Sequence, residues 1–436
     1  MDLQRLRGFN DLFGSSSRLL TIIENHAREL MERYSIGEIR IPLLERIELY
    51  QRSTGETSDI VEKQMYAFED KDERQSTVVL RPEGTPGVVR AYITAGFDRT
   101  QPEQRFYYSG PMFRRERPQK GRYRQFFQFG VEIFGREDAA CDAELLILID
   151  DFVKQRLIDA TMEINSIGCK ECRPAFRAAL IAWGKSHWDK LCDDCHNRIE
   201  RNPLRLLDCK IDAKLAETAP SSLDYLCEAC RAHFGVVQEL AAAAGVTFVV
   251  NPRMVRGLDY YTRTAFEVRA RGLGSQDTIV AGGRYDGLVE VLGGASIPGI
   301  GFAIGLDRVA LAIEGNPRAL QALGSRLDLP REAATRQIHR APVAAFVVLG
   351  EAAARESVNL ARVVRAAGLN VEMLSPYRSI KSQLSQANSM GARFAVIVGD
   401  REIEAKAARL RDLRRHEEVE AGFASLVPMI EARLTK

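Results

Sequence analysis

Arg105-Phe-Tyr-Tyr-Ser-Gly-Pro-Met-Phe-Arg-Arg-Glu-Arg-Pro-Gln-Lys-Gly-Arg-Tyr-Arg-Gln-Phe-Phe-Gln-Phe-Gly-Val-Glu-Ile-Phe-Gly135 is the stretch that decides the fold. It reads as two strands around a basic loop, Arg115 to Arg122, which holds Pro118 and Gly121. Side chains alternate across a strand. Phe106, Tyr108, Gly110, Met112 and Arg114 therefore share one face of the first strand. Arg124, Phe126, Gln128, Gly130, Glu132 and Phe134 share one face of the second, with Phe127, Phe129, Val131 and Ile133 packing opposite. A Gln and a Glu on an otherwise apolar sheet are costly to bury without partners. The glycine between them removes bulk, as a ligand slot would need. A cross-strand network such as Glu132 with Arg114 would serve the same polarity. The loop's arginines fit phosphate binding as well as they fit a solvated hairpin tip.

Upstream, Ser15 to Ser17 are expected to cap a helix with apolar face Leu19, Ile23, Leu30 and Tyr34. A strand with Ile39, Ile41 and Pro42 follows. The strand Thr77 to Leu80 leads through Arg81-Pro-Glu-Gly84 to Thr85-Pro86, a good cap and first helical residue. Thr85 either caps that helix or, with Glu83, faces a ligand amine. Downstream, strand and glycine-loop texture returns from 248 to 312. Val255 to Val268 and Ala281-Gly-Gly-Arg-Tyr-Asp-Gly287 are strand-end loops rich in arginine and tyrosine. Arg308 opens a helix, where a cation opposes the macrodipole unless an anion binds or Asp307 pairs with it. Gly299, Gly301 and Gly305 have the wrong spacing for a dinucleotide fingerprint.

The whole chain has 436 residues, which predicts about three domains. With 45% hydrophobic and 28% charged residues the composition is that of a folded globular protein. The 61 Lys+Arg and 59 Asp+Glu leave a net charge of only +2, which excludes a polycation and confines any nucleic-acid contact to local basic patches. No apolar run is long enough for a membrane span, and Met1-Asp-Leu-Gln-Arg-Leu-Arg-Gly8 lacks a signal region, so a cytoplasmic location is expected. Only 6 histidines occur, so the chemistry should lean on arginine and carboxylates.

Six of the 8 cysteines form three C-x-x-C pairs, Cys169/Cys172, Cys192/Cys195 and Cys227/Cys230. In a cytoplasmic setting this argues against a disulfide framework. The pairs suit a tetrahedral thiolate zinc site, with Cys192, Cys195, Cys227 and Cys230 as the leading set. Cys169 and Cys172 are able to replace one pair, and free thiols are the alternative. Residues 169–235 read as a cysteine-rich, mostly helical insertion within a core of 1–168 and 236–313. Residues 314–340 read as a linker and 341–436 as a separate domain. Strands Val343 to Leu349, Asn370 to Leu374 and Phe394 to Val398, separated by helices, predict a parallel α/β domain.

Taken together, these segments resemble the histidyl-tRNA synthetases, a family of class II aminoacyl-tRNA synthetases. The proline-ended strand at Pro42, the hairpin Phe113-Arg114 through Glu132, and Gly299-Ile-Gly-Phe-Ala-Ile-Gly-Leu-Asp-Arg308 resemble the three class II signatures. Arg256-Gly-Leu-Asp-Tyr-Tyr-Thr262 and Ala281 to Gly287 resemble the histidine-specific segments. The resemblance implies a mixed α/β chain. Its core would be an antiparallel class II sheet (α+β) with a helical insertion, followed by a C-terminal α/β anticodon-binding domain. It also implies ligation of L-histidine to tRNA(His) through a histidyl-adenylate, with ATP and Mg²⁺, in a homodimer. By motif position, Glu83, Gly84 and Thr85 would hold the substrate amino group or the ATP side. Arg114 and Arg256 would act on the α-phosphate, and Gln128 and Glu132 would flank the amino acid. Tyr260, Tyr261 and Tyr285 would line the imidazole pocket. Arg308 would meet the γ-phosphate end of ATP, and Arg122 and Tyr108 would complete the site. The loop 115–122 would meet the tRNA acceptor end, and Arg378, Lys381 and Gln383 are candidate RNA contacts. A non-catalytic paralogue, the regulatory subunit of histidine biosynthesis, is the rival reading. Such proteins typically lack the histidine-specific loop and the C-terminal domain. Two positions depart from the family pattern. Phe127 stands where many members have histidine, and Arg263 where many have glycine.

Overall fold

The computed structural model describes residues 3–54, 60–70, 76–156, 158–327 and 341–434. Two compact units are centred on Leu19–Leu323 and Gly324–Lys436. In chain order the first unit's strands are Gly37–Glu38 (β1), Leu44–Arg46 (β2), Tyr66–Glu69 (β3), Thr77–Leu80 (β4), Gln104–Phe113 (β5) and Gln125–Phe134 (β6). They continue with Ala160–Ser166 (β7), Phe248–Val250 (β8), Thr262–Ala270 (β9), Thr278–Arg284 (β10) and Gly299–Gly305 (β11).

The hairpin read from residues 105–135 is β5 and β6, antiparallel with Tyr108 opposite Gly130 and Phe106 opposite Glu132. It sits inside an eight-stranded sheet of order β1-β5-β6-β11-β10-β9-β7-β8. Every pairing from β5 to β7 is antiparallel, and only the two end pairs are parallel. β2, β4 and β3 form a separate antiparallel sheet. Helix Gly14–Arg33 covers part of the core with Leu19, Ile23, Ala27 and Leu30, a 3.6-residue stripe. Ser15 to Ser17 lie inside its first turn instead of ahead of it. Tyr34 follows the helix and donates to Asp151 at 2.8 Å.

The segment after β7 is helical, with Arg173–Ser186 and Asp193–Arg201 around a small core of Phe176, Leu180, Cys195, Ile199 and Leu206. Helix Glu228–Ala243 crosses the 235/236 boundary read from the sequence. It packs on helix Ala139–Gln155, with His233 Nε2 2.9 Å from Asp142, so it belongs to the core as much as to the insertion. Within the stretch read as a linker, Pro317–Leu327 is helical, and the division between the two units, Leu323/Gly324, falls inside it. The rest of that stretch, 328–340, lies outside the described residues.

In the second unit, Ala344–Val348 (β12), Val371–Met373 (β13), Phe394–Val398 (β14), Ala407–Asp412 (β15) and Glu418–Gly422 (β16) form a sheet of order β13-β12-β14-β15-β16. The first three are parallel, as expected, but β15 and β16 join antiparallel, so the domain is mixed. Their polar–apolar alternation marks a strand pair with one solvated face. Gln383 is corrected as an RNA contact: it is fully buried. β13 reaches only to Phe346, which leaves Val348 with a free edge. The Gln383 amide accepts from Val348 N–H and donates to Val348 C=O, both at 2.8 Å. Arg378 bonds Gln386 at the exposed surface, and Lys381 is exposed. Among the described residues no helix is long and apolar enough to cross a membrane.

Candidate active site

The polar face of β6 meets the turn after β4 and the loops before β9 and β11. Helix Thr85–Thr94 starts there, with Gly84 as its cap and no side-chain capping bond. The Thr85 hydroxyl instead donates to Glu132 at 2.6 Å, and Tyr285 donates to the other carboxylate oxygen at 2.5 Å. Glu132 is thus satisfied by hydroxyls, and Arg114, its partner in the alternative reading, donates to the Pro82 carbonyl at 2.8 Å. Tyr260 donates to Glu83 at 2.9 Å. Burial pushes the Glu132 carboxyl up to about 8 and the Glu83 carboxyl up to about 7.

Glycines make room for this cluster. A Cβ on Gly301 would lie 1.9 Å from Glu132 Oε2, and one on Gly299 2.3 Å from the Tyr285 ring. A Cβ on either Gly84 or Gly130 would come within 2.2 Å of the Tyr108 ring. The space beside Gly130, expected to be a ligand slot, is therefore filled by Tyr108. Tyr260 packs at a tilt against Tyr261, with centroids 4.6 Å apart, and meets Tyr285 edge-on at 5.9 Å.

In front of this wall lies a cavity of about 380 Å³. Glu83, Thr85, Arg114, Arg122, Gln128, Arg256, Tyr261 and Arg308 line it, all of them named from the sequence. Gly84, Tyr108, Glu132, Tyr260 and Tyr285 stand behind these as the buried wall. Among the described residues no histidine lines the cavity. Buried Glu83 Oε1, Gln128 Oε1 and Arg256 Nε have no hydrogen-bond partner among the described residues, which is costly unless a ligand completes them.

Arg308 makes no salt bridge to Asp307. Its guanidinium donates to Gly121 O and Thr278 O at 2.8 Å and to Gln276 at 3.0 Å. Those neutral acceptors fix the group without cancelling its charge. Asp307 instead accepts from Phe127 N–H at 2.7 Å. The Phe127 side chain does not line the cavity, as alternation predicts. In the hairpin loop, Arg115 and Arg117 are exposed, whereas Arg122 turns inward and pairs with Glu116. Arg256 pairs with Glu267 and lies 5.5 Å over the Tyr261 ring.

No sequence signal marks Glu267, Gln276 or Thr278, because β9, β10 and the turn Gly274–Gln276 between them are brought to the site by pairing across the sheet. Arg284 is the opposite case. Its motif suggests a site residue, but it is buried and bonds Asp142 at 2.7 Å.

Arg263 adopts φ +48°, the left-handed region. That geometry suits the glycine that the resemblance implies for many members at this position. Its ion pair with Asp286 is long, 3.8 Å, and worth little. Arg263→Gly should therefore be more stable by about 0.5–1 kcal/mol, relief of the left-handed penalty outweighing glycine's entropy. Chemical denaturation measures this, and a loss above about 1 kcal/mol would refute it.

The leading cysteine set needs correction, while the alternative in which Cys169 and Cys172 replace one pair matches the first cluster. Cys192/Cys195 and Cys227/Cys230 do not converge. Cys227 and Cys230 gather with Cys169 and Cys172, while Cys192 and Cys195 gather with Cys209 and Asp212. The chain path brings the start of the insertion back to its end, so the first and third pairs meet. Cys209 has no C-x-x-C partner to reveal it.

An antiparallel sheet that presents arginines from its hairpin, from a neighbouring loop and from the helix after its last strand is the frame of a class II aminoacyl-tRNA synthetase. The histidyl-tRNA synthetase family model matches residues 8–168 and 201–309, and an anticodon binding domain matches 344–433. Histidine–tRNA ligase of Halothermothrix orenii is 44% identical, covering 98% of each chain. That of Thermotoga maritima is 44% identical over the full length of both. The apo histidyl-tRNA synthetase of S. aureus superposes with TM-score 0.77 at 32% identity, over 99% of this chain and 100% of the other. The chain belongs to the histidyl-tRNA synthetase family.

Proposed function

We propose that this cavity joins L-histidine to ATP and that the chain then esterifies tRNA(His), acting as a homodimer. The observation that carries the reading is the convergence of Arg114, Arg122, Arg256 and Arg308 on one cavity beside unpartnered carbonyl and carboxylate oxygens. In the first step a histidine carboxylate oxygen attacks the α-phosphorus and pyrophosphate leaves. The attacking group is already an anion, so the step asks for positioning and positive charge more than for a general base. Arg114 and Arg256 hold the α-phosphate, and Arg308 and Arg122 hold the departing end. Glu83 receives the substrate ammonium, while Gln128 and the tyrosine wall orient the ring. Mg²⁺ arrives with ATP, mostly liganded by phosphate and water. In the second step the terminal ribose hydroxyl of tRNA attacks the activated carbonyl, its proton passes to a phosphate oxygen of the adenylate, and AMP leaves.

The chain keeps both the Arg256–Thr262 loop and the anticodon-type domain, which weighs against the non-catalytic rival. Histidine-dependent ATP–pyrophosphate exchange is the test. Exchange is expected with histidine and not with other amino acids. Intact ATP binding without exchange would sink the reading.

A further inference from the structure

We propose that the insertion holds two structural zinc ions, one on Cys169, Cys172, Cys227 and Cys230 and one on Cys192, Cys195, Cys209 and Asp212. In each set, one ligand atom per residue lies within 4.8 Å of every other. Zn–S bonds of about 2.3 Å set a tetrahedral edge of about 3.8 Å. The sulfurs of Cys169 and Cys172 are 3.7 Å apart, those of Cys169 and Cys227 3.9 Å, and those of Cys192 and Cys209 3.6 Å. A disulfide needs about 2.05 Å, so these pairs have ligand spacing and not bond spacing.

Local structure supports the same assignment. Cys172, Cys192 and Cys227 are the N-caps of three helices, and none makes a side-chain capping bond. Cysteine is a poor cap, but a metal-bound thiolate suits the positive helix end. Cys227 N–H donates to Cys172 Sγ at 3.1 Å, and Cys192 N–H to Asp212 at 3.0 Å. Such backbone bonds orient ligands from outside the coordination shell. Gly168 lets the first knuckle close, since a Cβ there would lie 2.5 Å from Cys172 Cβ.

Both centres connect to the cavity. Arg173, next to Cys172, donates to the carbonyls of Asp259 and Tyr261. It thereby ties the first centre to the loop that carries Arg256. Asp208 and Lys210 line the cavity on either side of Cys209. The first centre closes the neck of the insertion, and the second fixes the segment that reaches the cavity. Each bound zinc displaces its ligand protons to solvent.

Metal analysis of the full chain, purified without chelator, should find two zinc ions per chain. The double variant Cys169→Ser/Cys172→Ser should retain one, and so should Cys192→Ser/Cys195→Ser. Should a variant fold poorly, metal-free wild-type chain titrated with Co²⁺ gives an independent reading. Two equivalents should bind with thiolate-to-cobalt absorption. One equivalent or none, iron in place of zinc, or disulfides among these cysteines in the purified chain would overturn the assignment.

Discussion

Arg256→Ala should lower histidine-dependent pyrophosphate exchange by about 10³-fold or more, the loss seen when one charge-stabilising donor is removed from a transferring phosphoryl group. The guanidinium lines the cavity, is held by Glu267, and lies over Tyr261. Its Nε is buried without a partner, a donor waiting for an oxygen. The loss should fall on kcat, with the histidine KM changed by no more than roughly a few-fold, since an interaction made chiefly in the transition state does not hold the ground state. Arg256→Lys should recover only part of the rate, because an ammonium cannot match a planar fork on phosphate and aromatic ring together. Truncation also removes the ion-pair partner of partly buried Glu267, which keeps its bond from Thr278, at a cost of about 1–3 kcal/mol. A melting curve distinguishes that cost from a catalytic loss. Normal exchange in Arg256→Ala would refute the assignment.

Much of this site is legible because a hairpin of strict alternation reports its own faces. Gln128 reaches the cavity and Phe127 does not, as the period of two requires. The readings that fail are those that depend on chain segments far apart. Alternation leaves Gly130 as open space, yet Tyr108 across the strand fills it. It offers Arg114 to Glu132, but Thr85 and Tyr285 reach that carboxylate from 47 and 153 residues away. Periodicity carries no information about such pairings. The cysteines show the same limit. Spacing finds three pairs, while the fold selects which pairs meet and supplies Cys209 and Asp212 from a segment with no motif. Local alternation thus predicts direction, and only topology can predict partners.

Glu132→Gln should do two opposite things. Glu132 is fully buried at the back of the site and holds Thr85 and Tyr285 by short hydrogen bonds. An amide keeps the shape, but its NH₂ end can no longer accept from one of the two hydroxyls. Above about pH 8, where the carboxylate is ionised, a charge-assisted bond is worth about 1.5–3 kcal/mol, so the histidine KM measured there should rise about 10- to 100-fold. Stability should move the other way. The folded carboxyl titrates at about 8, against an ordinary value of 4.5, because burial disfavours the charge. Between those values the folded state binds a proton that the unfolded state has released. The stabilisation is therefore full below pH 4.5 and is lost as pH rises to about 8. The amide carries no such charge, so the variant's melting temperature should fall less from about pH 5 to about pH 9 and exceed that of the wild type at the alkaline end by on the order of a few degrees. Some slope should remain, because Glu83 still titrates at about 7. Parallel pH-melting curves with unchanged histidine KM would show that Glu132 neither bears the buried charge nor shapes the site. A higher KM with a flatter curve would mean that this carboxylate is kept at a cost in stability for the sake of the substrate.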